Sequence, residues 1–262
     1  MHAAPLDRPT ILVRRPSPRL ADGEVTHIGR TPVDVELAGA QWSAYVGVFR
    51  AHGWSAVELD PLDDHPDGAF VEDVVVVFGG IAVITRPGAA SRLGEIDGLG
   101  QRMVELGYHV DTIEAPGTLD GGDVMKVGST IYVGLGGRTN AAGIEQFRDH
   151  LAPHGARVIA VPTTLVLHLK SAVTALPDGT VIGYPPVVDD PTVFDRFVAV
   201  PEEPGAHVVD LGENRVVMTA RTPKTAALLR QRGLDVVITD IGEFEKLEGC
   251  VTCLSVRLRP TP

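Results

Sequence analysis

One pattern recurs five times along the chain and limits what it can fold into. An apolar run of strand length ends in a turn led by Arg or Tyr, a helix-length stretch follows, and another apolar run returns. The turns are Arg14-Arg15-Pro16, Arg86-Pro87-Gly88, Arg138-Thr139-Asn140, Tyr184-Pro185-Pro186 and Arg221-Thr222-Pro223. The third unit is the clearest. Asp123 to Val127 reads as a strand, Gly128-Ser129 as a tight turn and Thr130 to Leu135 as the partner strand. Asn140 then caps a helix running to about His154, with Ile144, Phe147 and Leu151 on one face, and Arg157 to Val161 is the next strand. The second unit reads Val74 to Phe78, Ile81 to Thr85, a helix near Ser91 to Leu106, and Tyr108 to Ile113. The fifth reads Ala206 to Leu211, Arg215 to Thr219, a helix near Lys224 to Arg232, and Asp235 to Thr239. The first and fourth are less regular.

Each unit is therefore strand, strand, helix, strand. One such unit cannot bury its own apolar face; five around an axis can, with their helices outside. A hairpin before each helix disfavours a doubly wound sheet, which alternates single strands with helices. No stretch reads as an interdomain linker, so residues 1–262 are expected to form a single catalytic domain. With 262 residues, 44% of them hydrophobic, there is enough apolar side chain for a real core.

The chemistry-bearing residues sit at one recurring place, between the last strand of a unit and the first of the next. They are Asp67 to Asp73, Asp120 to Asp123, His168 and Cys253, and in a closed ring these positions converge on the axis. A thiol, a distant His and several carboxylates make a candidate nucleophile, a proton shuttle and a binder for a cation. Each also has a plainer reading. A Cys is usually a small buried hydrophobe, a His in an apolar run such as Leu167-His168-Leu169 is usually a satisfied core residue, and Asp120-Gly121-Gly122-Asp123 could be only a turn. Cys250 and Cys253 are three apart in what reads as an extended stretch, so they are expected to face opposite ways and not act together. Neither a redox pair nor a zinc half-site is expected, and no metal.

The net charge of −11 argues against nucleic acid and suits attraction of a cationic small molecule. Two cysteines make no disulfide framework, which fits a reducing cytoplasm. The start, Met1 to Pro9, lacks a signal-peptide core, and no run approaches the ~20 apolar residues that span a bilayer.

Six motifs in order resemble the dimethylarginine dimethylaminohydrolases, part of the guanidine-modifying superfamily. They are Pro66 to Asp73, Thr85 to Arg92, Leu119 to Val124, Tyr132 to Leu135 with Arg138-Thr139-Asn140, Leu167 to Ser171, and Thr252-Cys253. The resemblance covers nearly the whole chain. It implies a five-bladed α/β propeller, or pentein, of ββαβ units around a central active site. It implies Cys253 as nucleophile, His168 as general acid and base, and Asp120 as an acid near the guanidinium. Asp73, with Glu72 beside it, matches a guanidinium-binding carboxylate, Asp67 the residue near the α-amino group, and Arg92 and Arg138 the pair that holds the α-carboxylate. Val25 or Leu20 stands where the family has a lid Leu. The implied reaction converts Nω-methylated arginines to citrulline and a methylamine, with no metal or organic cofactor. The implied partner is a small cationic amino acid, and a homodimer is compatible with it.

Other functions remain open at this point. Arginine deiminase shares the catalytic set but typically carries an added helical domain and a longer chain. Agmatine deiminase would not need two carboxylate-binding Arg residues. An amidinotransferase would need room for an acceptor amine. A silent arginine-binding protein on the same scaffold is disfavoured by the intact Cys253, His168 and Asp120.

Overall fold

The computed structural model describes residues 6–259; Met1 to Pro5, the start of the stretch read for a leader, lie outside them. Its strands form five separate three-stranded sheets. The first blade holds β1 (Thr10–Val13), α1 (Val35–Ala51) and β2 (Ser55–Glu58). The second holds β3 (Val75–Phe78), β4 (Ile81–Ile84), α2 (Leu99–Glu105) and β5 (His109–Thr112). The third holds β6 (Val124–Val127), β7 (Thr130–Leu135), α3 (Ala141–Leu151) and β8 (Arg157–Pro162). A one-turn helix, α4 (Leu169–Ala172), leads into the fourth, made of β9 (Val173–Ala175), β10 (Val181–Gly183) and β11 (Phe197–Ala199). The fifth holds β12 (Val209–Gly212), β13 (Arg215–Thr219), α5 (Pro223–Gln231) and β14 (Asp235–Thr239). After a short α6 (Gly242–Glu245), the last strand, β15 (Val256–Leu258), returns to pair antiparallel with β1 and completes the first blade.

Every blade then has the same pairing: an antiparallel pair followed by a parallel return. The alternation of side chains along a strand decides where the cores lie. On β1, Ile11 and Val13 face one way and Leu12 the other; on β3, Val75 and Val77 oppose Val76. Each sheet is thus apolar on both faces, and the five core clusters each fill the space between two consecutive blades. The cluster that joins the fifth blade to the first holds Val209, Leu211 and Val217 against Ile11, Tyr45 and Phe49, which closes the ring. This is the five-bladed α/β propeller that the repeat implied.

Two units depart from the expected plan. The fourth has no helix between β10 and β11, only two short 3-10 turns at Pro185–Val187 and Pro191–Val193. Its prolines lack the N–H a helix needs and push the preceding residue out of the helical region. In the second, the expected single helix is a 3-10 segment, Ala90–Ile96, followed by α2. The break falls at Gly98, whose φ of +74° is left-handed. Among the described residues no helix is long and apolar enough to cross a membrane.

Candidate active site

Four of the inter-blade connections deliver their polar residues to one end of the ring. The connection after β2 carries Asp67, Glu72 and Asp73; the one after β5 carries Asp120 and Asp123; His168 follows β8; and Cys253 follows β14. All of them are buried. The connections meet at close quarters, which is why two glycines sit between Asp120 and Asp123. A Cβ on Gly121 would overlap the Glu72 carbonyl oxygen, and one on Gly122 would overlap His168 and Asp73.

His168 stands between two carboxylates. Its Nε2 is 3.1 Å from Asp120 Oδ2, and its Nδ1 is 3.9 Å from Asp73 Oδ1. Burial opposes the charge on this imidazole, but Asp73 and Asp120 outweigh it and raise its pKa to about 9. His168 is therefore an imidazolium at neutral pH. Burial alone would raise the Asp73 carboxyl; the His168 and Arg92 charges instead hold it below the usual range. Asp73 is fixed by the Gly122 N–H at 2.9 Å, and Asp120 by the Gly88 N–H at 2.7 Å. Asp123, behind them, accepts from Thr139 Oγ1 and the Leu169 N–H at 2.6 and 2.9 Å, and burial pushes its carboxyl up to about 6. It orients the backbone next to His168. Asp73, Asp120 and His168 offer donor atoms within 4.8 Å of one another, a spacing a metal ion could use. Arg92 already donates to Asp73 at 2.7 Å, which places a fixed cation beside that trio.

The remaining expected residues divide. Asp67 lines the pocket; its carboxylate accepts from the Glu24 N–H at 3.1 Å, and burial raises its pKa. Arg138 lines it too, half-turned to the opening, and donates to Glu24 Oε2 at 2.7 Å. Arg92 borders the pocket, but its guanidinium is committed. It makes a fork to Glu95 at 2.9 and 2.8 Å as well as the bond to Asp73. Glu72 lies behind Cys253: it accepts from Thr252 Oγ1 at 2.6 Å and pairs with Lys170 at 2.5 Å. Val25 is half-buried and packs on the core between the first and fifth blades, and Leu20 is buried within that core; neither lines the pocket. The residue from that segment that does is Glu24. Sequence reading passed over Glu24 and Glu95 because each is an ordinary acid in a loop or a short helical turn; only the paired Arg side chains hint that they need partners.

The cysteines correct the expectation of opposite faces. Residues 250 to 253 form a turn, closed by the Cys253 N–H donating to the Cys250 carbonyl at 3.1 Å. The extended run begins only at β15. A turn brings residues three apart to the same side, and the two sulfurs lie 3.1 Å apart. Cys253 also receives the Cys250 N–H at 3.4 Å. The shared proton with Cys250, burial, and the nearby Glu72 and Asp73 all push the Cys253 thiol up. Cys253 is thereby held as a thiol.

The cavity bounded by these groups is about 30 Å³, lined by Glu24, Asp73, Arg138, His168 and Cys253 among others. That is far below the roughly 300 Å³ at which small-molecule sites begin. The site is narrow, with Glu24 lying across Arg138.

Residues 103–210 match the arginine deiminase family. Over 248 residues the chain is 63% identical to an N(G),N(G)-dimethylarginine dimethylaminohydrolase of Streptomyces coelicolor, covering 95% of this chain and 96% of that one. It is 35% identical over 253 residues to the protein of the same name from Pseudomonas aeruginosa, covering 94% and 98%. Among solved structures, a dimethylarginine dimethylaminohydrolase carrying a His-to-Gly substitution, as an adduct with S-methyl-L-thiocitrulline, superposes with a TM-score of 0.87 at 34% identity over 95% of this chain and 99% of that one. A Cys-to-Ser variant from Pseudomonas aeruginosa complexed with citrulline superposes with a TM-score of 0.88 at 33% identity, over 97% and 100%. Identity at this level, over nearly the full length of both chains and on the same propeller, shows that the chain belongs to the dimethylarginine dimethylaminohydrolase family.

Proposed function

We propose that the chain hydrolyses Nω-methylated arginines to citrulline and a methylamine, with Cys253 as nucleophile and His168 as the proton carrier. The observation that carries this reading is the imidazolium of His168, held between Asp73 and Asp120 in the same small pocket as Cys253. The 63% identical relative favours this over arginine deiminase or a silent binding protein.

The chemistry follows from the charges. A guanidinium carbon is a poor electrophile, because its charge is spread over three nitrogens. Carboxylates on those nitrogens fix the plane against the sulfur and remove the entropy of alignment. Asp73, which lines the pocket, and Asp120, held on His168 beside it, are the carboxylates we assign to this role. The substrate's positive charge beside Cys253 offsets the Cys250, Glu72 and Asp73 contributions that keep the thiol protonated, and so favours the thiolate. Sulfur then adds to the guanidinium carbon. The C–N bond to the methylated nitrogen breaks as His168 gives that nitrogen its proton. A thiouronium remains on Cys253. The neutral His168 takes a proton from water, the hydroxide adds to the same carbon, and the C–S bond breaks to release citrulline and the thiolate. Arg138 binds the α-carboxylate once Glu24 leaves it, and Asp67 lies where the α-amino group would be received. A reducing cytoplasm suits a thiol nucleophile of this kind.

The test is to incubate the protein with asymmetric dimethylarginine and measure citrulline and dimethylamine together. Both should appear in equal amounts, and Cys253→Ser should lose at least about a thousandfold in turnover. Citrulline from arginine but not from the methylated substrate would sink the proposal in favour of a deiminase.

A further inference from the structure

A second cavity lies at the other end of the ring axis. It occupies about 570 Å³ and is walled by the inner strands β3, β6, β9, β12 and β15 and their hairpin turns. Four cations meet there: Lys126 on β6, Arg257 on β15, Arg259 just after it, and Lys170 on α4. Only two carboxylates answer them. Asp210 pairs with Arg259 at 2.7 Å, and Glu72 pairs with Lys170 at 2.5 Å and lies 3.8 Å from Arg257. Lys126 donates to the Val77 carbonyl at 2.7 Å and has no carboxylate partner, and Arg257 Nη1 is buried with no hydrogen-bond partner. This surplus of positive charge stands in a protein whose net charge is −11.

We propose that this cavity binds a small dianionic oxyanion, a phosphate group either free or esterified. Two unmatched cations and an orphaned guanidinium N–H are the recognition chemistry such a group uses. The cavity is much roomier than a phosphate, so it also admits a small ester. Burial, then the charges of Arg257 and Lys170, push the Lys126 ammonium down to about 7. A bound dianion would reverse that electrostatic pressure.

The experiment uses the whole protein, with inorganic phosphate, glycerol 3-phosphate and sodium chloride as probes at matched ionic strength. Thermal unfolding should rise with the logarithm of phosphate concentration and not with chloride. Equilibrium dialysis of radiolabelled phosphate reads binding directly, whatever a variant does to stability. Lys126→Met should weaken binding about tenfold or more, while the exposed Arg15→Met should leave it unchanged. Binding of both probes would point to an ester as the ligand, and binding of phosphate alone to the free ion. No binding in wild type beyond the chloride control, or equal binding in Lys126→Met, would overturn the site.

A separate observation carries a second inference. The Cys250 and Cys253 sulfurs lie 3.1 Å apart in a turn, and Cys253 lines the substrate pocket. We infer that the pair is an oxidation site that a hydroperoxide converts reversibly to a disulfide. Residues closing such a turn have Cα atoms within about 7 Å, inside the range a disulfide bridges with a sulfur shift of about 1 Å. One sulfur takes the distal peroxide oxygen to become a sulfenic acid, releasing water or alcohol. The other sulfur displaces the hydroxyl, giving S–S and a second water. The thiol contact with Cys253 holds Cys250 down at about 6, which supplies a thiolate for either step.

One equivalent of hydrogen peroxide should leave the wild-type peptide spanning both cysteines lighter by two hydrogens. Turnover should fall and return with dithiothreitol. Cys250→Ala should instead proceed to sulfinic acid on Cys253, with recovery at least about tenfold poorer. The turnover readout rests on the nucleophile assigned above, whereas the mass readout does not, so the two can fail separately. Sulfinic acid in the wild type to the same extent as in Cys250→Ala would overturn the inference.

Discussion

His168 keeps its proton because Asp73 and Asp120 flank it inside the ring, and that charge can be measured. A nuclear magnetic resonance titration of the imidazole should find a midpoint near 9, and Asp120→Asn should lower it. The folded value lies above the ordinary 6.5, so His168 contributes its stability below that value and loses it as pH rises through about 9. A midpoint that stays near 9 in Asp120→Asn would assign the shift to Asp73 alone. The two arginines at the pocket differ in the same terms. Arg138 answers only Glu24 at the opening, so Arg138→Ala should raise KM for dimethylarginine at least tenfold, equivalent to more than about 1.4 kcal/mol, with little change in Tm. Arg92 holds two buried carboxylates, Asp73 and Glu95, and removing it leaves Glu95 without its ion-pair partner and Asp73 with His168 alone. Arg92→Ala should cost about 3–5 kcal/mol of stability, measured by urea unfolding. Equal loss of stability in the two variants would show that Arg138 is also structural. Asp73, Asp120, His168 and Cys253 could be grouped from the sequence because each stands at the same point of a repeat. Arg92 and Arg138 stand elsewhere in their units and came only from the resemblance; only the fold shows that Arg92 meets buried acids while Arg138 meets Glu24.

The connections between blades work by close approach, and glycine makes it possible. The turn at Gly121 lies against the Glu72 carbonyl, and Gly88, whose N–H reaches Asp120, lies so close to the Arg138 backbone that a Cβ there would overlap it. Gly121→Ala should push the connection carrying Asp120 away from the one carrying Asp73. The expected loss is about 1–3 kcal/mol in stability, together with a fall in kcat larger than any rise in KM. Unchanged kcat with the lost stability would mean that the two connections position nothing for catalysis. Strands in the second, third and fifth blades and the helices of the third and fifth follow periodicity and capping, so they were readable to within a few residues. Asn140, for instance, accepts from the Gly143 N–H at 2.8 Å and starts α3 as a cap should. The fourth blade was obscure because prolines replaced its helix. The turn at Cys250 to Cys253 was obscure because a Cys-Val-Thr-Cys run has strand-forming residues, while its conformation is held by Glu72, which accepts from Thr252 and donates its N–H to the Cys253 carbonyl, and by the close fit of Gly249 against Phe70 and Phe244.

No blade has a core of its own. Each apolar cluster is shared by two neighbours, and the seam between the chain's ends is closed by β15 on β1, pairing Thr10 with Leu258 and Leu12 with Val256. Taking out any one strand therefore opens two clusters rather than one. We infer that the ring is a single folding unit. Its urea unfolding should be one transition, with far-UV circular dichroism, which reports all five blades, coinciding with the fluorescence of Trp42 and Trp54, which report the seam. Ending the chain after Cys253 removes the buried Leu254, Val256 and Leu258 and exposes the edge of β1. It leaves the proposed nucleophile in place. The truncated protein should lose its cooperative transition and its activity together, and the bare apolar edge should drive association. If dichroism instead kept a sharp transition while only tryptophan fluorescence changed, the second to fourth blades would be stable without the seam. The ring would then be an array of nearly independent blades.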